Sequence, residues 1–280
     1  MATVPAPDVK GQDAYTAAQA QQDAAAHHAT RSFKIWRGEA GKGEFVEYKQ
    51  DVVEGMVVLD AVHEIQSTQA NDLAVRWNCK AGKCGSCSAE INGMPKLMCM
   101  TRLADLDAEK PVTVEPMRAF PHVRDLVTDV SWNYRVKMQI QQFKPRPPDA
   151  PDGTWRMQQE DIDRVQEFRK CIECFLCQDV CHVLRDHQLF DEFAGPRHMV
   201  YAAALEMNPI DTDDRIADLK DAHGIGYCNI TKCCTKVCPE NIQITDNGII
   251  PLKERVVDEF YDPLGWLWRI GRKKAKPSHA

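Results

Sequence analysis

The chain has 280 residues, 44% of them hydrophobic, and a formal net charge of −6. That length suits two domains with ordinary cores, and the mild acidity lacks the basic footprint of a nucleic-acid-binding protein. Twelve cysteines is a high count, but the opening segment has neither a basic nor an apolar signal region. A secreted disulfide scaffold is therefore not expected, and clustered reduced thiols point to metal.

Residues 1–30 are rich in Ala, Gln and Asp and read as a disordered or partly helical extension, with His27 and His28 solvated rather than ligating. From 31 the texture changes. "RSFKIWR" sets Phe33 and Ile35 against Lys34 and Trp36, the alternation of a strand. "GKGEFVEYK" follows a turn signal and flanks Glu47 with Val46 and Tyr48, which predicts a second strand and a hairpin. "GMVVLDAVHEIQS" spaces Val58, Val62 and Ile65 as a helix, with His63 beside that face as a structural residue. Strand, strand, helix and Cys-rich loop make residues 31–142 an α+β unit.

"FKPRPPDAPDG", residues 143–153, carries four Pro and a Gly and reads as a linker. Residues 154–262 are helical in pattern. Ile162, Val165 and Phe168 recur every third position. Met199, Val200, Ala203, Ala204 and Met207 form a second stripe, and Leu252, Val256, Val257 and Phe260 a third. All three are expected in the core. The tail, 263–280, combines Trp266 and Trp268 with Arg269, Arg272, Lys273, Lys274 and Lys276. It suits an interface with anionic headgroups or an acidic partner as well as it suits solvent. No 18-residue apolar run occurs, so the chain is not expected to span a membrane.

The cysteines fall into three groups. Cys79-x4-Cys84-x2-Cys87, with Cys99 downstream, has the plant-type spacing for [2Fe–2S]. Gly82 and Gly85 permit the tight backbone such a loop needs, and Ser86 and Ser88 are candidates to hydrogen-bond sulfur. Zinc would ordinarily show two C-x2-C pairs instead. The second group, Cys171-x2-Cys174-x2-Cys177-x3-Cys181, is the bacterial ferredoxin run with His182 in place of the final Pro. The third, "CNITKCCTKVCPE", fits the same run at Cys228, Cys234 and Cys238, but Thr231 stands at the second ligand position and Cys233 is out of register.

In two-cluster ferredoxins the fourth Cys of each run ligates the other cluster. That swap predicts a [4Fe–4S] site of Cys171, Cys174, Cys177 and Cys238. It leaves Cys181, Cys228 and Cys234 for a second site with a gap at Thr231, which is expected to hold [3Fe–4S]. Cys233 is expected to be a packing residue, since adjacent side chains rarely reach separate corners of one cluster. Dinucleotide, P-loop and nucleophile-elbow motifs are missing, so no substrate site is expected.

Taken together, "CKAGKCGSCSAEINGMPKLMC", "CIECFLC…C" and "C…C…CP" resemble the iron–sulfur subunit of succinate dehydrogenase and fumarate reductase over residues 31–262. "VEPMRAFPHVRDLVTD" and "GPRHMVYAAALEMNPIDTDDR" resemble further segments of that family. The resemblance implies a β-grasp [2Fe–2S] ferredoxin domain followed by an α-helical ferredoxin domain. It implies a partner flavoprotein with covalent FAD, a membrane-anchor subunit, and electron transfer to quinone at the cytoplasmic face of a bacterial inner membrane. Ubiquinone-reducing members place Pro after the fourth Cys of the second group, Trp four residues after that Pro, and His after the first Cys of the third group. Here these are His182, Asp186 and Asn229, which favours menaquinone and makes His182, Asn229 and Thr231 the quinone-side candidates. The alternatives are a quinol:fumarate reductase and the iron–sulfur subunit of another flavoenzyme.

Overall fold

The structure, a computed structural model, describes residues 29–263 and Gly265. The basic Trp-containing tail and all but the end of the 1–30 extension lie outside the described residues. Ala29 and Thr30 already belong to strand β1 (Ala29–Glu39), which pairs with β2 (Lys42–Val52) along its whole length. Ala40 and Gly41 both take positive φ between them, the two-residue turn whose twist matches that of the strands. Phe33 faces Val112 and Ile35 faces Val114 across the parallel pairing of β1 with β5 (Val112–Glu115). All four side chains are fully buried, as the alternation predicts.

Strands β3 (Ser88–Ile91), β4 (Met94–Leu97), β6 (His122–Arg124) and β7 (Val127–Thr128) complete a sheet of order β4-β3-β5-β1-β6-β7, with β2 also on β1. Helix α1 (Val58–Thr68) lays Val58, Leu59, Ala61, Val62 and Ile65 on this core. Buried Asp125 ties the loops together, accepting from Arg37 Nε at 3.0 Å, Gly38 N at 3.0 Å and Ala74 N at 2.8 Å. His63 is half-buried and meets Trp77 edge-on at 4.6 Å.

The second half is built from α2 (Ser131–Gln139), α3 (Gln159–Gln166), α4 (Leu176–Asp179), α5 (His182–Arg185), α6 (Pro196–Glu206), α7 (Ile216–Asp221), α8 (Cys233–Lys236) and α9 (Ile250–Phe260), the last preceded by a π-helical stretch, Ile244–Ile249. Val165, Phe168, Met199, Val200, Ala203 and Leu252 share one core, together with Val136 from α2. The third stripe is only half right. Leu252 and Val256 are buried, but Val257 and Phe260 are 51% and 44% exposed. Helix α9 outruns the core, and Phe260 lies beside Lys220, whose Nζ is 4.8 Å from the ring centroid.

The Pro-rich 143–153 segment does not hang free. Arg146 N donates to Ile210 O at 2.8 Å and Thr212 N to Lys144 O at 2.9 Å, so it lies along the helical half. Buried Arg215 fastens the same region, pairing with Asp211 at 2.9 Å and donating to the carbonyls of Gln141 and Gln142 at 2.9 and 2.8 Å. No helix among the described residues is long and apolar enough to cross a membrane.

Candidate metal centres

All twelve cysteines are free. In the first group the loop leaves Cys79 exposed, Cys84 half-buried, and Cys87 and Cys99 buried. Lys80, Gly82 and Gly85 take positive φ, which curls the backbone around Cys79. Ala81 N and Lys83 N donate to its sulfur at 3.4 and 3.3 Å. Burial works against ionisation of Cys84. Hydrogen bonds from the Ser86 side chain, and from the Cys79 and Ser86 backbones, outweigh it and bring that thiol down to about 7. Cys87 lies beside both Cys84 and Cys99, and burial pushes it up to about 12. Ser86 thus does what was expected of it. Ser88 does not: its hydroxyl donates to Gly85 O at 2.8 Å and reaches Cys174 O at 2.9 Å.

The second and third groups have the same backbone. Positive φ falls at Glu173 and Phe175, two and four residues after Cys171, and at Ile230 and Lys232, two and four residues after Cys228. Each run is preceded by a 3-10 turn and starts a short helix five residues on, α4 at Leu176 and α8 at Cys233. Thr231 is therefore the structural counterpart of Cys174, Cys234 of Cys177, and Cys238 of Cys181. Cys233 is the counterpart of Leu176, which is 1% exposed. Cys233 is not packed in that way: it is half-buried, and its sulfur lies 3.2 Å from Thr231 Oγ1. The expectation of a packing role is corrected. The Cys233 side chain lies at the edge of a cavity shared with Cys181, Cys228 and Cys234 instead of in the apolar core.

Tertiary folding then sorts the thiols. Cys171, Cys174, Cys177 and Cys238 line one cavity, walled by Ile172, Phe175, Val200, Ile242 and Ile244, with Arg197 and Glu240 as its charged members. Cys181, Cys228, Cys233 and Cys234 line a second, with His182, Asn229, Thr231 and Pro196. Burial raises the thiols of Cys174 and Cys181 to about 12, that of Cys177 well above the ordinary range, and those of Cys234 and Cys238 above it too. Buried thiols of this kind ionise only when a cation takes the place of the proton. Among the described residues no three His, Cys, Asp or Glu side chains converge as a single ion needs. Thiols spaced around an apolar cavity fit a polynuclear cluster, whose metal atoms meet one thiolate each.

The first two centres touch. A Cβ on Gly85 would lie 2.5 Å from Cys174 Cα, so the two ligand loops meet backbone to backbone. Around this contact, Glu90 of β3 is fully buried and accepts from Arg185 of α5 at 2.9 Å. Asp179, at the end of α4, accepts from Ala119 N at 3.0 Å. Burial, reinforced by neighbouring Glu90, raises the Asp179 carboxyl to about 7. Burial raises Glu90 as well, so both carboxyls at the junction are pushed toward the neutral form. Lys83 pairs with Glu240 at 2.9 Å on the outside. Sequence reading missed Gly85's partner, Glu90, Asp179 and Arg185. It also missed Gln178, which is fully buried next to Cys177 and whose Oε1 accepts from Arg197 N at 3.2 Å. A Gln directly after Cys177, inside the cysteine run, was the signal open to it.

Of the three quinone-side candidates, His182 and Asn229 are joined, Nε2 to Nδ2 at 2.9 Å, across the mouth of the second cavity. His187 stands 6.1 Å from His182, ring to ring. Tyr227 and Ile230, which flank Cys228 and Asn229 in the chain, are 50% and 38% exposed, and Thr231 is exposed as well.

A 2Fe-2S iron-sulfur cluster binding domain model matches residues 32–134, and a 4Fe-4S dicluster domain model matches residues 167–242. The chain is 35% identical to the fumarate reductase iron-sulfur subunit of Mycobacterium tuberculosis, over 71% of this chain and 80% of that one. It is 27% identical to the succinate dehydrogenase iron-sulfur subunit of Paracoccus denitrificans, over 81% of this chain and 88% of that one. A chain of the Mycobacterium smegmatis Sdh1 complex in the apo form superposes with a TM-score of 0.82 at 58% identity, covering 85% of this chain and 100% of that one.

Proposed function

The chain belongs to the family of iron–sulfur subunits of succinate dehydrogenase and fumarate reductase, and from that premise we propose a cluster-by-cluster assignment of its thiols. It is an electron-transfer subunit of an oxidoreductase with a [2Fe–2S] domain followed by a [4Fe–4S]-type domain. Cys79, Cys84, Cys87 and Cys99 would hold [2Fe–2S]. Cys171, Cys174, Cys177 and Cys238 would hold [4Fe–4S], and Cys181, Cys228 and Cys234 would hold [3Fe–4S]. The carrying observation is the shared backbone of the two runs, which puts Thr231 where Cys174 stands in the other.

When bound, such clusters take up and release one electron at a time. The chain's own residues bring the sites into contact. Gly85 lets the first loop lie on the second, and Pro196 and Arg197, consecutive residues of α6, line the cavity of Cys181 and that of Cys171 respectively. Exposed Tyr227 and Ile230 suit a membrane-anchor subunit, and the exposed first loop suits a flavoprotein carrying covalent FAD. The joined pair His182 and Asn229 would meet quinone, menaquinone being favoured because the Pro, Trp and His of ubiquinone-reducing members are replaced. The complex would sit on the cytoplasmic face of a bacterial inner membrane, with this subunit peripheral. The domain limits 31–142 and 154–262 belong to the same proposal.

Succinate oxidation is the favoured direction on the 58% identity to a chain of the Sdh1 complex. A fumarate reductase role is the second reading, motivated by the name of the Mycobacterium tuberculosis relative. Iron analysis and EPR of the purified complex test the assignment. About nine irons for each copy of this chain and an oxidised three-iron signal are expected. About ten irons with no such signal would replace [3Fe–4S] by a second [4Fe–4S]. The chain purified without a flavoprotein should reduce no dye from succinate; detectable activity would overturn the electron-transfer role.

A further inference from the structure

Helix α6 starts between the two cavities of the helical half. Its first turn is held by Gln178, whose Oε1 accepts from Arg197 N at 3.2 Å and whose Nε2 donates to Ala194 O and Asn133 Oδ1, each at 3.1 Å. Gly195 must be glycine for this clamp, because a Cβ there would lie 2.1 Å from Gln178 Oε1. The clamp places Arg197 in the wall of the cavity lined by Cys171, Cys174, Cys177 and Cys238.

Arg197 is 5% exposed. One end of its guanidinium is committed: Nη2 donates to Glu173 Oε1 at 2.5 Å, and the plane lies 5.5 Å from the Tyr201 ring. Its Nε–H is buried and meets no acceptor among the described residues. A buried charged donor left unpaired is costly unless the site supplies an anion when filled. Glu173 sits between Cys171 and Cys174 in left-handed backbone and also accepts from Lys137. Behind the wall, Glu173 is thus shared by Arg197 and Lys137, while Glu240, the acidic residue of the lining, is taken up by Lys83.

We propose that Arg197 is a positioning residue that sets the reduction potential of the second cluster: its Nε–H donates to a thiolate or sulfide there, and its charge stabilises the reduced form. The positive end of α6 acts in the same sense. The inference rests on the assignment of a [4Fe–4S] cluster to these four cysteines. Hydrogen bonds to sulfur and local net charge are the protein's means of tuning such clusters, and a cation in a low-dielectric wall acts strongly.

The test is an EPR-monitored redox titration of all clusters in the purified complex. Arg197→Gln should disfavour reduction of the second cluster at least tenfold, which is 59 mV for a one-electron couple. Glu173→Gln should shift it the opposite way, and Arg197→Lys should fall between wild type and Arg197→Gln. The other two potentials should not move. A purely structural role would weaken the site in both variants and could not give opposite signs. If Arg197→Gln fails to assemble the cluster, Glu173→Gln carries the test alone, and an unchanged or lowered potential there overturns the proposal. An unchanged potential in an intact Arg197→Gln complex also overturns it. Cys174→Ala separates the premise: should the signal assigned to the second cluster persist in that variant, the cluster assignment fails instead.

Discussion

The two halves hold their cysteines by different means. The first hangs a cysteine loop on a finished structure: eleven-residue strands, a three-turn helix and a core in which Phe33, Ile35, Val112 and Val114 are fully buried. The second builds its sites from α4, α5 and α8, each four residues long. Helices of that length have no stability of their own. They are held by polar clamps such as Gln178 of α4, and by whatever the thiols bind. A cluster is thus an accessory to the fold in one half and part of the fold in the other.

The largest effect that could break this contrast is iron removal. Chelation of the reduced protein should abolish hydrogen-exchange protection across α4, α8 and the adjoining turns while β1, β2 and β5 keep theirs. Simultaneous loss in both halves would show that the sheet depends equally on metal.

Next in size are two glycines in one loop, both in left-handed backbone, where a side chain costs about 1–2 kcal/mol. Gly85→Ala also drives a Cβ to 2.5 Å from the Cys174 backbone, whereas Gly82→Ala meets the flexible side chain of Met100 at 2.9 Å. Gly85→Ala should cost roughly 3 kcal/mol or more and slow transfer between the halves. Gly82→Ala should cost only the backbone term. Denaturant melts of the two variants sharpen the comparison, and equal losses would mean that the loop contact is slack.

Acid separates the halves too. Burial lowers His198 of α6 to about 4, against hydrogen bonds to Asn133 O and Ala194 O that favour its charged form. Its folded value is depressed below the unfolded 6.5, so the unfolded chain binds more protons between the two. Stability of the helical half should fall as pH drops through that window, by about 3 kcal/mol in full. Among the described residues β1, β2 and β5 carry no buried histidine, so their exchange rates should stay level when those of α6 rise. His198→Gln should flatten the dependence.

Smallest in stability, though not in spectrum, are the variants of the third run. Thr231→Cys should complete the ferredoxin pattern, convert the three-iron signal toward [4Fe–4S] and lower its potential, since added thiolate charge disfavours reduction. Cys233→Ser should leave that signal intact and change stability by no more than about 0.5 kcal/mol, as expected for a half-buried position. If the signal survives the first change and vanishes in the second, Cys233 is the ligand and the register is shifted.

Much of this was written along the chain. The alternation at Phe33 and Ile35, the stripe at Val58, Val62 and Ile65, and the three cysteine spacings each encode a local geometry, because a strand, a helical turn or a ligand loop depends on residues a few positions apart. The gap at Thr231 is legible for the same reason: positive φ at the second and fourth residues after the first Cys repeats in both runs. Tertiary structure alone decided the rest. It brought Gly85 onto Cys174, buried Glu90 against Arg185, turned Ser88 from sulfur to a carbonyl, left Cys233 and Phe260 outside the core, and set Arg197 in the wall of the cavity lined by Cys171. These contacts join residues tens of positions apart or depend on where a helix outruns its neighbours. No local period records either, since burial at such positions is a property of the packed whole.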